Sequence, residues 1–454
     1  MTVAFSPTSV AVVGLGKSGK GAIELLLKRG VKVTAFDENA SSPDAEALRA
    51  TGVEVKLGPL APKLLAGHDF CVVSPGVPLA KPELAAARAQ GANLIGEVEL
   101  AWRCLPDGAG PVLGITGTNG KSTTTALLGE LVKQTGKKTF VGGNLGLAFT
   151  HACAEKYDAH VVELSSFQLE GTTSMSCLGA AILNLTPDHL DRYPTHEAYG
   201  EAKARIFDRQ PKEGFAVVNA DDFAVVALAK RATVPVYGFS LDPNRTNAGF
   251  GGIATGRDGA FVLIGGGFRG ERYSVNNPAL RGNHNLQNAM AAVLLARKFG
   301  ATQEQVQKGL DAFGGLAHRL ERVRQLDGVE WINDSKATNV DSSLVALKAL
   351  RGGIWLIAGG KGKGAPYTPL VEASRGKVKA VLTIGADAPN IEAAFKPQFE
   401  VIACGTLEAA ITRARGLSKK GDTVLLSPAC ASYDQFDNFE HRGDTFKRLV
   451  GALT

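Results

Sequence analysis

The stretch GITGTNGKST, residues 114–123, gathers two glycines, a lysine and a hydroxyl side chain in an order suited to holding a phosphate. Gly117 and Gly120 enclose only Thr118 and Asn119 before Lys121, Ser122 and Thr123, a shorter spacer than that of the common phosphate loop. The chemistry survives the shortening. Glycines let backbone N–H groups approach an anion, a helix N-terminus adds roughly half a positive charge, and Lys121 adds a full one. Ser122 has the hydroxyl that can hold Mg²⁺. The loop needs a strand before it and a helix after it. The apolar run 111–115 supplies the first, and STTTALLGELVKQTG supplies the second, with Ala126, Leu127, Glu130 and Leu131 at helical spacing before Gly136.

A second glycine pattern, GLGKSG at Gly14–Gly19, follows an apolar run and precedes a helical one, with Asp37 ending the next strand. Taken alone it reads as a dinucleotide fingerprint, so an NAD-dependent oxidoreductase stands as a rival reading. Any pyrophosphate-bearing nucleotide, a UDP-sugar included, suits the same helix start. Glu163 ends the apolar run HVVEL, where α/β sheets gather ligand-binding groups, and a carboxylate there can hold Mg²⁺. His189 in TPDHLDRY is either a second metal ligand or a packed or exposed histidine. Asp188 and Asp191 are candidate helix caps, and Lys203 either reaches the same cleft or is simply solvated. Asn285 and Asn288 in GNHNLQN either bond a nucleotide or cap the apolar helix they begin. Arg319 in AHRLE suits a γ-phosphate or a surface ion pair. Asp334, Lys336 and Thr338 share one loop, Lys363 lies at another strand end, and two basic loops suit an acidic substrate. Ser432 is expected to cap the helix after the last strand.

These residues must be positioned by several domains. The chain has 454 residues, 44% hydrophobic, enough for about three domains at roughly 150 residues each. Lys and Arg total 50 against 44 Asp and Glu, and no basic block with interleaved aromatics marks a nucleic-acid face. The six cysteines form no Cys-x-x-Cys pair, which fits reduced thiols in a cytosol. No apolar run approaches the roughly 20 residues of a membrane span. Short apolar runs alternate with helical patterns through residues 1–103, 104–315 and 316–454, giving an N-terminal, a central and a C-terminal α/β domain. RVRQLDGVEWIND reads as a hairpin turning at Asp327-Gly328, and residues 240–275 as a small antiparallel excursion. A nucleotide switch without catalysis also fits a phosphate loop set between mobile domains.

In chain order GTNGKST, ELSSFQLE, NLTPDHLDRY, HNLQNAMAA, AHRLE, NDSKATN and SPACASYDQFDNFEHRG resemble the Mur ligases over nearly the whole chain. The last two, with GLGKSG, resemble the D-glutamate-adding branch of that family. The resemblance implies a three-domain α/β fold, with Rossmann-like N- and C-terminal domains around a central P-loop ATPase-type domain. It implies an ATP-dependent amide ligase that adds D-glutamate to UDP-N-acetylmuramoyl-L-alanine through an acyl phosphate, as a cytoplasmic bacterial monomer with no nucleic-acid or membrane partner. It assigns catalysis to Lys121, Glu163, His189, Lys203 and Arg319. ATP would meet Gly117, Thr118, Asn119, Gly120, Lys121, Ser122, Thr123, Asn285, Asn288, Arg319, Asp334 and Lys336. The UDP-substrate would meet Lys17, Ser18, Asp37, Gly76, Asn144 and His189. D-Glutamate would meet Thr338, Lys363, Ser432, Tyr433 and, through its backbone, Phe439. Two Mg²⁺ sites would draw on Ser122, Glu163 and His189, bridged by Lys203 as a carbamate. Lys17, Glu38-Asn39 and Tyr433 depart from the family pattern, which bears on contact details and not on the reaction.

Overall fold

The structure, a computed structural model, describes residues 5–40, 44–189, 192–247 and 249–454. They divide into two compact units, one comprising Met1–Asn277 and Gly282–Phe313, the other Pro278–Arg281 and Gly314–Thr454.

The first unit holds two sheets. The strands β1 (Ser9–Val13), β2 (Lys32–Asp37), β3 (Glu54–Leu57), β4 (Phe70–Val73) and β5 (Leu94–Gly96) form a parallel sheet in the order β3-β2-β1-β4-β5. Its helix Lys17–Lys28 leaves the glycine loop so closely that a Cβ on Gly19 would lie 1.9 Å from the Gly14 carbonyl oxygen. Asp37, at the end of β2, accepts from the Leu15 N–H (2.8 Å) and so fixes that loop from the neighbouring strand.

The second sheet has nine strands: β6 (Val112–Thr116), β7 (Thr139–Gly143), β8 (Ala159–Glu163), β9 (Gly179–Ile182), β10 (Phe215–Asn219), β11 (Val236–Ser240), β12 (Gly252–Arg257), β13 (Ala260–Gly265) and β14 (Phe268–Ser274). Their order is β14-β13-β12-β11-β10-β9-β6-β8-β7. All neighbours are parallel except β12/β13 and β13/β14, which are antiparallel, so the expected excursion is a terminal meander. Strands β6, β8, β9 and β10 are buried along their full length, as parallel strands covered on both faces should be. Helix Asn283–Phe299 packs there through Leu286, Met290, Val293 and Leu294, and stops at Gly300, whose φ is 112°.

One helix joins the two sheets into a unit. Glu97–Cys104 follows β5 directly, and its Glu99 side chain is fully buried. The Glu99 carboxylate accepts from the N–H groups of Thr173 (2.8 Å), Ser174 (2.9 Å) and Met175 (3.0 Å), from the Thr173 and Ser174 hydroxyls, and from Arg103 Nε (2.8 Å). Burial by itself pushes this carboxyl up, but the donors of Ser174, Thr173 and Arg103 outweigh it and hold the group down at about 2. Glu97, one turn edge away, has one oxygen bonded to the Thr150 N–H (2.8 Å) and the other without a partner, and burial pushes it up to about 7.

The second unit holds a six-stranded sheet of β15 (Glu321–Leu326), β16 (Val329–Asn333), β17 (Ile354–Gly359), β18 (Val378–Ile384), β19 (Glu400–Gly405) and β20 (Thr423–Leu426), ordered β15-β16-β20-β17-β18-β19. The expected hairpin is β15/β16, turning through Asp327 (φ 50°) and Gly328 (φ 78°), and the other neighbours are parallel. All six cysteines are unpaired, and burial pushes the Cys71 and Cys177 thiols up to about 12. No described helix is long and apolar enough to cross a membrane.

The depressed Glu99 group sets a pH window. Its folded value of about 2 lies below the ordinary 4.5, so its contribution is complete above pH 4.5 and fades as the pH falls toward 2. Glu99→Gln is expected to cost about 3 kcal/mol at pH 7, the equivalent of that shift, and progressively less below pH 4.5. Urea unfolding of both proteins across pH 3 to 7 checks this, and a pH-independent difference would contradict it.

Candidate functional site

The phosphate loop leaves β6 at Thr116 and enters helix Lys121–Lys133 through Gly120, whose φ is 83°. A side chain at Gly120 would meet Asn288 Oδ1 at 2.3 Å, so the glycine is required by both its dihedral and its neighbour. From the loop after β9, Asn184 grips the phosphate loop: its Oδ1 accepts from the Asn119 N–H (2.8 Å) and its Nδ2 donates to the Asn119 carbonyl (3.0 Å). The Thr118 hydroxyl donates to the Thr186 carbonyl (3.2 Å). Ser122 and Thr123 are buried in the first helical turn. The loop is thus held by amide and hydroxyl contacts with the segment that follows β9.

Two lysines converge on it. Lys121 Nζ donates to the carbonyls of Gly117 (2.9 Å) and Thr118 (2.7 Å), and Lys203 Nζ donates to the same Gly117 carbonyl (2.9 Å). Lys203 sits at 1% exposure on helix His196–Ala204, with its ammonium 4.3 Å from the Tyr199 ring centroid. Burial first, then the charge of Lys121, pull its amine down to about 7, while Asp188 and Glu163 oppose the shift.

Glu163 ends β8 and is 2% exposed. Its Oε1 accepts from Asn144 Nδ2 (2.8 Å), and its Oε2 is buried without a hydrogen-bond partner. His189 (φ 54°) places its ring 4.7 Å from Phe167 and 5.9 Å from Tyr199. His189 and Lys203 therefore flank the same tyrosine. Among the described residues no group of three or more His, Cys, Asp or Glu side chains is arranged to hold a metal. A cation here would have to draw on Glu163 together with hydroxyl or modified-lysine oxygens. An orphaned buried carboxylate oxygen on Glu163 fits a hard cation such as Mg²⁺.

Around the first glycine loop, Lys17 Nζ donates to the Gly146 carbonyl, Asp37 Oδ1 accepts from Asn39 N–H (2.9 Å), Ser18 is half-buried and Gly76 is exposed. Asn144 lies next to the residues Lys17 reaches.

In the second unit, Asp334 is buried, accepting from the Ser427 hydroxyl (2.7 Å) and the Leu320 N–H (3.1 Å). Burial pushes its carboxyl up to about 7. It holds the turn containing His318 (φ 62°) and Leu320 (φ 45°), with exposed Arg319 between them. Lys336 Nζ lies 5.7 Å from the Phe439 ring, and the Ser335 hydroxyl donates to the Phe439 carbonyl (2.8 Å). Thr338 is half-buried before helix Val340–Ala349, Lys363 is exposed, Ser432 is buried and Tyr433 is 70% exposed.

Three expectations are corrected. Ser432 does not cap the helix Phe439–Gly451, because Asn438 does, through a bond from the His441 N–H (2.7 Å). The Ser432 carbonyl instead closes a turn by accepting from Gln435 and Phe436. Asp188 caps no helix: Thr195 caps His196–Ala204, and Asp188 accepts from the adjacent His189 N–H (2.9 Å). Asn285 and Asn288 lie inside their helix, whose cap position is Gly282, and bond each other (3.2 Å). Asp191 lies outside the described residues.

Two arginines within the sequence motifs hold contacts that their local sequence does not announce. Arg442 is 1% exposed and donates to the Ser335 hydroxyl (2.9 Å) and carbonyl (2.9 Å), the Cys430 carbonyl (3.2 Å) and the Ala431 carbonyl (3.3 Å), tying together the loops that carry Lys336 and Ser432. Arg192, three residues after His189, bonds the Pro75 carbonyl. Asn184, which grips Asn119, is a third such residue. Each lay within a run whose signal was polarity, without a cue to its partner.

Comparisons with known proteins cover the chain. A family model described as the Mur ligase middle domain matches residues 115–296, one described as the Mur ligase MurD-like N-terminal domain matches 8–96, and one described as the Mur ligase glutamate ligase domain matches 318–430. The chain is 59% identical to the UDP-N-acetylmuramoylalanine–D-glutamate ligase of Myxococcus xanthus over 100% of both chains. It is 50% identical to the ligase of the same name from Anaeromyxobacter dehalogenans over 98% of this chain and 97% of that one. Its fold is similar to that of the UDP-N-acetylmuramate-alanine ligase from Thermotoga maritima, with a TM-score of 0.60, 19% identity and coverage of 98% and 99%.

A titration follows from the Lys203 environment. In the unmodified protein the Lys203 side-chain resonances should move with a midpoint near about 7, well below the ordinary lysine value of 10.5. Carbon-13 NMR of labelled lysine, assigned with Lys203→Met, would read it, and a midpoint above 10 would contradict the geometry.

Proposed function

The chain belongs to the Mur ligases, and from that premise we propose that it joins D-glutamate to UDP-N-acetylmuramoyl-L-alanine with cleavage of ATP to ADP and phosphate, a step of peptidoglycan precursor synthesis. The observation that carries the chemistry is the convergence of Lys121, Lys203 and the half-satisfied Glu163 carboxylate around the phosphate loop. Neither an oxidoreductase nor a non-catalytic switch explains why a buried carboxylate and two amines should meet there.

A carboxylate in water is a poor electrophile. Transfer of the terminal phosphoryl group of ATP to one of its oxygens makes an acyl phosphate. The D-glutamate amine then attacks the acyl carbon, loses a proton, and phosphate leaves with the C–O bond electrons. Two anions must be brought together first. Lys121, the loop N–H groups and the start of helix Lys121–Lys133 lower that repulsion for the phosphates, and Asn288 and Asn184 hold the loop in shape. A bound Mg²⁺ would supply Lewis-acid screening of the phosphate oxygens, with Ser122 and Glu163 as its holders and His189 and Lys203 serving a second ion.

Lys203 acts here as a carbamate. Its neutral amine attacks CO₂, the N–C bond forms, and a proton is released, converting a cation into a carboxylate. The repulsion between Lys203 and Lys121 becomes attraction. Because the amine is pulled down to about 7, the neutral form that the reaction requires is the major one above that pH. At the first sheet, Lys17, Ser18, Asp37 and Gly76 take the uridine diphosphate, with Asn144 and His189 nearer the acyl end. In the second unit Thr338, Lys363, Ser432, Tyr433 and the Phe439 backbone take D-glutamate, and Arg442 holds their loops. Domain limits at 1–103, 104–315 and 316–454 are supported by the three sheets and by the three family matches.

Purified protein should release phosphate from ATP only with both UDP-N-acetylmuramoyl-L-alanine and D-glutamate present, and equal turnover with L-glutamate would refute the stereospecific site. Protein incubated with ¹³C-bicarbonate at pH 8 should give a carbamate carbon signal that is absent in Lys203→Ala. A signal retained in that variant would remove the carbamate from Lys203.

A further inference from the structure

Arg192 is 12% exposed and makes contacts that join parts of the first unit far apart in sequence. Its Nη1 donates to the Pro75 carbonyl (2.7 Å), in the turn after β4 that presents Gly76. Its Nη2 pairs with Glu170 (3.2 Å), and its guanidinium lies 3.8 Å from the centroid of the Phe167 ring. Glu170 and Phe167 belong to one short helix, Ser166–Glu170, held by a capping box of Ser165 and Gln168. Phe167 also meets the His189 ring at 4.7 Å, and the Arg192 N–H donates to the His189 carbonyl (3.0 Å). A guanidinium suits this position because its planar fork can serve a carbonyl and a carboxylate while its face lies on an aromatic ring.

We propose that Arg192 is a positioning residue for the UDP-linked substrate: it fixes the spacing between the Gly76 turn on the first sheet and His189 on the second. The inference rests on the functional reading above, in which one substrate molecule is gripped by both. Its nucleotide diphosphate lies against the first sheet, and its acyl end lies toward His189. A ligand held at two ends gains from the second contact only if the spacing of the two grips is set in advance. Arg192 sets it through its bond to the Pro75 carbonyl, its pair with Glu170, its contact with the Phe167 ring and its N–H bond to the His189 carbonyl, without touching the ligand. Loss of this brace leaves each grip intact and uncouples them.

The test separates one-ended from two-ended ligands. Binding of UDP alone and of UDP-N-acetylmuramoyl-L-alanine is measured by calorimetry without ATP for wild type, Arg192→Ala and Arg192→Lys, and KM is measured for each substrate. Arg192→Ala should weaken the full substrate and raise its KM tenfold or more, while the UDP Kd and the ATP KM change less than twofold. Arg192→Lys, which keeps a cation over Phe167 and a donor for Pro75, should recover part of the loss. Unchanged affinity for the full substrate in Arg192→Ala would overturn the proposal. Equal weakening of UDP, ATP and the full substrate would also overturn it, by showing general disruption. Failure of the wild type to bind the full substrate would instead overturn the functional reading beneath it.

Discussion

The Gly117 carbonyl oxygen accepts from two lysines, and this shared acceptor is the constraint around which the first unit is arranged. Two ammonium groups close together repel, and the buried Lys203 has also lost water. Three features offset that cost: the carbonyl itself, the Tyr199 ring face beneath Lys203, and the carboxylates of Glu163 and Asp188. While Lys203 is unmodified and protonated, the arrangement leaves an excess of positive potential beside a helix N-terminus. A phosphate-bearing ligand relieves it, so the unfavourable charge placement of the free protein becomes affinity in the complex. The neighbouring strands β6, β8 and β9 are fully buried, which gives this cluster a firm base.

Glu97 and Glu99 show the same control of charge used for architecture. They are two residues apart on one helix and both buried, yet one is driven toward the acid form and the other is held ionised. The difference lies in donor supply. Glu99 meets three backbone N–H groups, two hydroxyls and a guanidinium, whereas Glu97 satisfies one oxygen only. A fixed anion at Glu99 locks the first sheet to the loop after helix Ser166–Glu170, the same helix that carries Phe167 and Glu170.

The phosphate loop was legible because its chemistry is local: glycines, lysine and serine lie in one run between an apolar strand and an amphipathic helix. The alternation of strands and helices and the Asp327-Gly328 hairpin were legible for the same reason. Contacts that depend on distant segments were not. Arg192 and Pro75 are 117 residues apart, and Arg442 and Ser335 are 107 apart, so nothing near either arginine marks its partner. The helix cap was misplaced because SYDQFDN offers several short polar side chains. Only the backbone decides that Asn438 is at the helix start while Ser432 lies in a preceding turn. Asp334 reads as a ligand residue in sequence, and its burial beneath the His318–Leu320 turn appears only when β20 brings Ser427 beside it.

The antiparallel meander has a colloidal meaning. A nine-stranded sheet built to be parallel would finish in a flat row of open amides and carbonyls, an invitation to strand-by-strand stacking between molecules. Here the last strand, β14, reads FRGERYS; its partner register shifts at Leu263/Ile264, and Glu271 is drawn into a forked pair with Arg297 (2.6 and 2.8 Å). Charge, twist and a tethered side chain make that border a poor template. The terminal meander thereby leaves this border of the sheet poorly suited to pairing with a strand of another molecule.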